Sequence, residues 1–236
     1  MNQNSRLAVY QAQTKNVQEI DKVRKQINRA INDALKRGDK NAVQALTKTM
    51  ALVFCAWVEA NFSKVIHTPY GFSLDEIQQI KKAYKENGVE KGWEKCVELG
   101  TLKASKRRNS NYVPNIRLEL KRLIQQYIVE PSLLRNKIAH GQWTVALNRE
   151  NIAENKQLTN SLATLDIVTI LKWFKVHEYI SQIVENLIES PDKAFHRDYW
   201  IELTELKEFI AKTENWSLAQ KVNKLKQKPA PVYGSK

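Results

Sequence analysis

The run Arg135-Asn136-Lys137-Ile138-Ala139-His140-Gly141 gathers a guanidinium, an amide and an imidazole in one short stretch. An imidazole moves protons near neutral pH, and a guanidinium holds phosphate oxygens in two parallel hydrogen bonds and offsets charge that develops on them. These types suit cleavage of RNA, whose own 2′-hydroxyl is the nucleophile, so the chemistry requires no metal. On a helix advancing about 100° per residue, Asn136 and His140 share a face one turn apart, while Arg135 lies about 140° round from His140. The long arginine stem still reaches that region, and Gly141 lets the helix end at the histidine. The same residues also fit a purely structural arrangement, with Arg135 paired to a carboxylate and His140 finishing a helix.

Leu133, Leu134 and Ile138 are expected to anchor this segment in the core, placing the polar groups on a rigid helix terminus. Lys137 adds positive field. Glu59 interrupts an apolar run, Cys55-Ala56-Trp57-Val58-Glu59-Ala60-Asn61-Phe62, where an unpaired carboxylate is costly. Its partner is either Arg135, which it then orients, or another cation in a bridge that only supports the fold.

Other constellations are weaker. His177 beside Glu178 lacks the second histidine of H-E-x-x-H, and His67 and His196 have no partners at ligand spacing, so no metal site is expected. Cys55 and Cys96 stand apart in apolar helical runs and read as buried thiols. Glycine-rich phosphate loops and nucleophile elbows are absent from the sequence, and no cofactor is expected. Most of the aromatic residues, Trp57, Trp173 and Tyr179 among them, fall at core spacings; Tyr112, within a basic stretch, is the candidate for stacking on a base.

The elements that must position these groups are all helical. Val17, Ile20, Val23, Ile27, Ile31 and Leu35 recur at spacings of three and four and predict an amphipathic helix over about 13–36. Asp39 or Asn41 caps a more apolar, central helix that stops near His67, before Thr68-Pro69. Ser73 and Glu76 form a capping box for a helix over about 74–86, and a short one over 89–99 is ended by Gly100. A basic loop over 103–112 precedes a helix begun by Pro114, and Pro131 opens the segment that carries the motif. A connection over about 144–163 leads to a long apolar helix from Leu165 to Ile188, and a last helix runs over about 191–212. The closest approach to strand alternation is a few residues around 143–147. The sequence therefore predicts an all-α helical bundle over 15–212, with a flexible N-terminus (1–14) and a basic, disordered tail (213–236).

With 42% hydrophobic and 27% charged residues among 236, and only seven Gly and six Pro, the chain has the composition of a folded helical protein. Its net charge of +13 is concentrated: residues 103–122 carry +6 and residues 221–236 carry +5, leaving +2 elsewhere. Such clusters attract phosphate backbones by releasing condensed counterions, which makes Lys106, Arg107, Arg108 and Arg117 candidate RNA contacts; a solvated loop and tail is the alternative. The opening residues lack a signal-peptide pattern and no stretch is read as a membrane span, so a cytoplasmic location without membrane partners is expected.

In this setting Arg135-Asn136-x-x-x-His140 resembles the R-x4-6-H signature of the HEPN (higher eukaryotes and prokaryotes nucleotide-binding) superfamily, including the polar residue that commonly follows its arginine. The resemblance covers about 15–190, with the motif late in a helical bundle and a lone acid, Glu59, on an earlier core helix. It implies a homodimer whose two motifs face one another in a basic cleft, and metal-independent endoribonuclease activity that leaves 2′,3′-cyclic phosphate and 5′-hydroxyl ends. It further implies that His140 moves a proton at the 2′- or 5′-oxygen, that Arg135 stabilises the crowded phosphate, and that Asn136 orients His140 or touches phosphate. The toxin subfamily silenced by nucleotidylation carries a tyrosine two residues after the histidine; here Gln142 stands there, which puts that control in doubt but not regulation by an antitoxin or other partner protein. Two competing readings are a non-catalytic scaffold that binds RNA or a nucleotide, and a helical interaction partner for a protein or membrane surface.

Overall fold

The turn at Gly38-Asp39 folds α1 (Gln3–Arg37) back along α2 (Lys40–Ile66), and the Asp39 carboxylate caps α2 by accepting from the Ala42 amide at 3.0 Å. The computed structural model describes residues 3–104, 112–191 and 193–227, and among these the chain is all-α. After α2 come α3 (Leu74–Ala104), α4 (Tyr112–Ile124), a five-residue π-helical stretch (Gln125–Val129), α5 (Glu130–Ala139), α6 (Lys156–Thr164), α7 (Ile167–Glu189), α8 (Ala194–Thr213) and α9 (Leu218–Gln227).

The core forms where α2 and α7 cross. Phe54 meets Phe174 edge-on with centroids 4.9 Å apart, and Trp57, Phe62, Trp93, Ile180 and Val184 close around them. Each such side chain, fully buried, contributes roughly 1.5–3 kcal/mol of hydrophobic stabilisation. α1 covers one side of α2, α8 packs on α7, and α5 lies against α2.

Local chemistry sets the starts of the elements. The Ser73 amide donates to Glu76 at 2.6 Å while the Glu76 amide donates to the Ser73 hydroxyl at 3.2 Å, the reciprocal box that the sequence predicts. Asp166 starts α7 by accepting from Thr169, and Asn155 starts α6 by accepting from Leu158.

Several expectations are corrected. α1 extends back to Gln3 instead of starting near residue 13, because Arg6 is buried and donates to the Phe72 carbonyl at 2.8 Å, which docks this end of the helix. Val23, assigned to the buried stripe, is 48% exposed. The two helices expected over 74–86 and 89–99 do meet at a break, Gly88 being non-helical (φ 84°, ψ −176°), but the second runs on past 99 to Ala104. Gly100 ends nothing: it lies where α3 passes α7, and a Cβ there would stand 3.0 Å from Leu187. The connection after Thr144 contains α6, and the suspected extended run amounts to a single bridge between Leu147 and Glu154. Residues 218–227 of the expected tail form α9. α2 is also long and apolar enough to cross a membrane, contrary to the sequence reading; 61% of its most apolar window is buried in the bundle.

Candidate active site

α5 is held by what precedes it. Pro131 has no amide to continue the helical ladder, and its ring would press on the carbonyl four residues back. The π-helical stretch Gln125–Val129 widens the backbone at that point, with Ile128 and Val129 buried, so α4 passes into α5 without a break. Leu134 and Ile138 then fix α5 to the core; Leu133, expected beside them, is 47% exposed.

The C-terminus of α5 is a complete Schellman motif. The Gly141 amide donates to the Ile138 carbonyl at 3.1 Å, the Gln142 amide donates to the Lys137 carbonyl at 2.9 Å, and Gly141 takes φ +78°. His140 is the capping residue, its own amide bonded to the Asn136 carbonyl at 3.1 Å. This geometry displays the His140 and Asn136 side chains, both exposed, at a rigid helix end.

The loop that follows is tied back to the same helix. The Trp143 indole donates to the Ile138 carbonyl at 3.0 Å, and the Lys137 ammonium donates to the Leu147 carbonyl at 2.6 Å. Lys137 is therefore engaged in shaping the loop. Lys48, buried on α2, donates to the Trp143 carbonyl, and burial lowers its pKa. Sequence reasoning missed Lys48, although a lysine on the buried side of an apolar helix is the kind of signal that finds such a residue.

Arg135 points the other way, into the seam between α2, α3 and α5. Its Nη2 donates to Glu59 Oε1 at 2.5 Å, which makes Glu59 and Arg135 the predicted residues that the fold brings together. The pair is partly open to solvent, with side chains 30% and 49% exposed. The Cys55 thiol touches the same guanidinium, and Phe54, Tyr84, Ile128 and Ser132 line the rest of the seam, which holds only about 20 Å³ of free space. Burial works against the arginine's charge, but Cys55 and Glu59 more than offset it, so the guanidinium keeps its proton more firmly than usual. Burial also pushes the Cys55 thiol up to about 12, which leaves it un-ionised at neutral pH.

The predicted phosphate contacts are not gathered around this helix. Arg117 is bound to α3, its Nη2 2.9 Å from the Thr101 hydroxyl and 3.5 Å from the Glu98 carbonyl. Lys106, Arg107 and Arg108 lie outside the described residues; the Tyr112 backbone opens α4, and its side chain also lies outside them. Among the described residues, no group of three or more His, Cys, Asp or Glu is placed to hold a metal ion.

The arrangement offers an exposed imidazole and amide on a fixed helix terminus and an arginine oriented by a carboxylate one helix away. Comparison with known family models, with curated proteins and with solved structures finds no match to this chain.

Proposed function

We propose that this protein is a metal-independent endoribonuclease of the HEPN type, acting in the cytoplasm as a homodimer and serving as a toxin or antiphage effector under the control of a partner protein. The observation that carries the reading is the Glu59–Arg135 pair: an acid on the central helix orients the arginine of the motif, while the Schellman turn leaves His140 exposed at the same helix's end. In this reading His140 takes the proton of the 2′-hydroxyl as its oxygen attacks phosphorus, and the 5′-oxygen leaves with a proton from the second copy's imidazole. Arg135 offsets the charge on the crowded phosphate, and Asn136 steadies His140 or the phosphate.

The test is incubation of wild-type and His140→Ala protein with a structured RNA and with total RNA in excess chelator, followed by analysis of product ends. Cyclic phosphate ends, absent with the variant, support the reading. Intact RNA with salt-sensitive binding in both overturns it.

A second reading, a non-catalytic RNA-binding scaffold, is favoured by one specific observation. Arg135, the motif's cation, faces Glu59 and Cys55 inside the chain instead of sharing the exposed helix end with His140. In that case His140→Ala leaves both RNA affinity and RNA integrity unchanged.

A further inference from the structure

α9 has no buried residue, yet it bridges α1 and α7, and beneath it lies a cavity of about 430 Å³. Its floor is apolar, made by Val168 and Leu171 of α7, Phe209 of α8 and Leu225 of α9. Trp216, half exposed, stands at one side with its ring edge-on to Phe209 at 6.4 Å. Four lysines, Lys172, Lys175, Lys221 and Lys224, line the same cavity, and no acidic residue does.

The cations are placed by the fold. Lys172 is held between the carbonyls of Glu214 (3.5 Å) and Trp216 (3.4 Å), Lys175 is paired with Glu178 at 3.2 Å, and the Lys224 ammonium lies 5.8 Å from the centre of the Trp216 ring. Asn32 of α1 also lines the cavity, and its side-chain oxygen is buried with no hydrogen-bond partner among the described residues. The volume is in the range of small-molecule sites, which combine apolar walls with a few convergent polar groups.

We propose that this cavity binds a small amphiphilic anion, its aromatic or hydrocarbon body seated on Leu171, Phe209 and Trp216 and its carboxylate, sulfonate or phosphate held by Lys172 and Lys224. The site is separate from the Arg135–His140 segment and does not depend on its chemistry.

Calorimetric titration of the full chain with dodecanoate and with anilinonaphthalene sulfonate tests it, with dodecyltrimethylammonium and inorganic phosphate as controls. The expected result is saturable one-to-one binding of both anions below about 100 µM, and none of the cation or bare phosphate at that concentration. Lys224→Gln, an exposed change, weakens binding about tenfold, and Trp216→Ala does so independently. Lys172→Gln serves as a third variant, read only if its thermal melt matches wild type, because Lys172 also ties the loop before α9. Equal binding of the cation, non-saturating uptake, or affinity unchanged in both Lys224→Gln and Trp216→Ala overturns the proposal.

Discussion

His177 sits at the centre of the core with its ring 5.0 Å from Trp57, 5.5 Å from Trp93 and 6.4 Å from Phe54. Its Nδ1 is 2.9 Å from the Ser181 hydroxyl, which accepts from the Asn61 amide at 2.6 Å, while Nε2 has no partner among the described residues. Burial lowers its pKa from 6.5 to about 4. A depressed imidazole favours the neutral form in the folded state, so stability is fully present above about pH 6.5, falls as the unfolded chain takes up a proton, and stops falling below about pH 4. The loss is on the order of 3 kcal/mol. Chemical denaturation at a series of pH values should show this slope, and His177→Gln should flatten it, leaving the residue due to His67, which burial shifts in the same direction. A second outcome concerns Glu59→Gln. Its ion pair with Arg135 is partly exposed, so the change should lower stability by less than about 1 kcal/mol. If the carboxylate orients the arginine for catalysis, RNA cleavage should nevertheless fall about tenfold to a hundredfold. Equal rates with a large loss of stability would reduce the pair to a structural bridge. Glu59 stood out in the sequence as a lone acid in an apolar run, but the structure leaves it half exposed, so burial is not what forces its pairing with Arg135. The Asn61–Ser181–His177 network did not stand out, because its members lie on two helices far apart in the chain and each is unremarkable alone.

At the scale of elements, legibility follows the range of the interactions. The Asp39 cap and the Ser73–Glu76 box join residues three apart; the box appears as the sequence predicts, and of the two candidate caps, Asp39 and Asn41, the structure uses Asp39. Of the three glycines of α3, Gly100 does not end the helix as the sequence predicts, and tertiary packing is the reason. Gly100 lets Leu187 approach closely, a contact that no local pattern reveals, whereas Gly88 supplies the bend. At φ 84° and ψ −176°, Gly88 occupies backbone space open almost only to glycine, although a Cβ there would meet nothing within 4 Å. Gly88→Ala should therefore lower stability by about 1–3 kcal/mol through backbone strain alone, without any steric clash. Thermal melts should show the loss, and a substitution by D-alanine, which accepts positive φ, should recover most of it. A melt unchanged by Gly88→Ala would mean that the kink straightens at no cost. The π-helical stretch before α5 was invisible for a similar reason: Pro131 signals a disturbance, but not that the helix absorbs it by widening.

For the molecule as a whole, the concentrated charge that drew attention in the sequence is redistributed by folding. Of the basic residues over 103–122, Lys103 is paired with Glu76 at 2.9 Å and Lys121 with Glu94 at 2.8 Å, while Arg117 is bound to Thr101. Linear charge density therefore overstates what this segment offers a polyanion, since the acids that neutralise it come from α3. Long-range attraction from this region rests on Lys106, Arg107 and Arg108, which the sequence places together without an adjacent acid, and on Arg117, whose partners are uncharged. The distinction can be measured. A protein making about five phosphate contacts with single-stranded RNA has a log–log salt slope of about −3.5 and loses about a hundredfold in affinity between 50 and 200 mM salt. Replacing Lys106, Arg107 and Arg108 together by alanine should reduce that slope by about 2. Arg117→Ala should leave the slope in place and lower the melting temperature instead, because it removes hydrogen bonds that join α4 to α3. The opposite pattern, a slope carried by Arg117 and indifferent to the triple variant, would mean that RNA displaces the internal bonds of α4 and that the free chain is not arranged as the bound one.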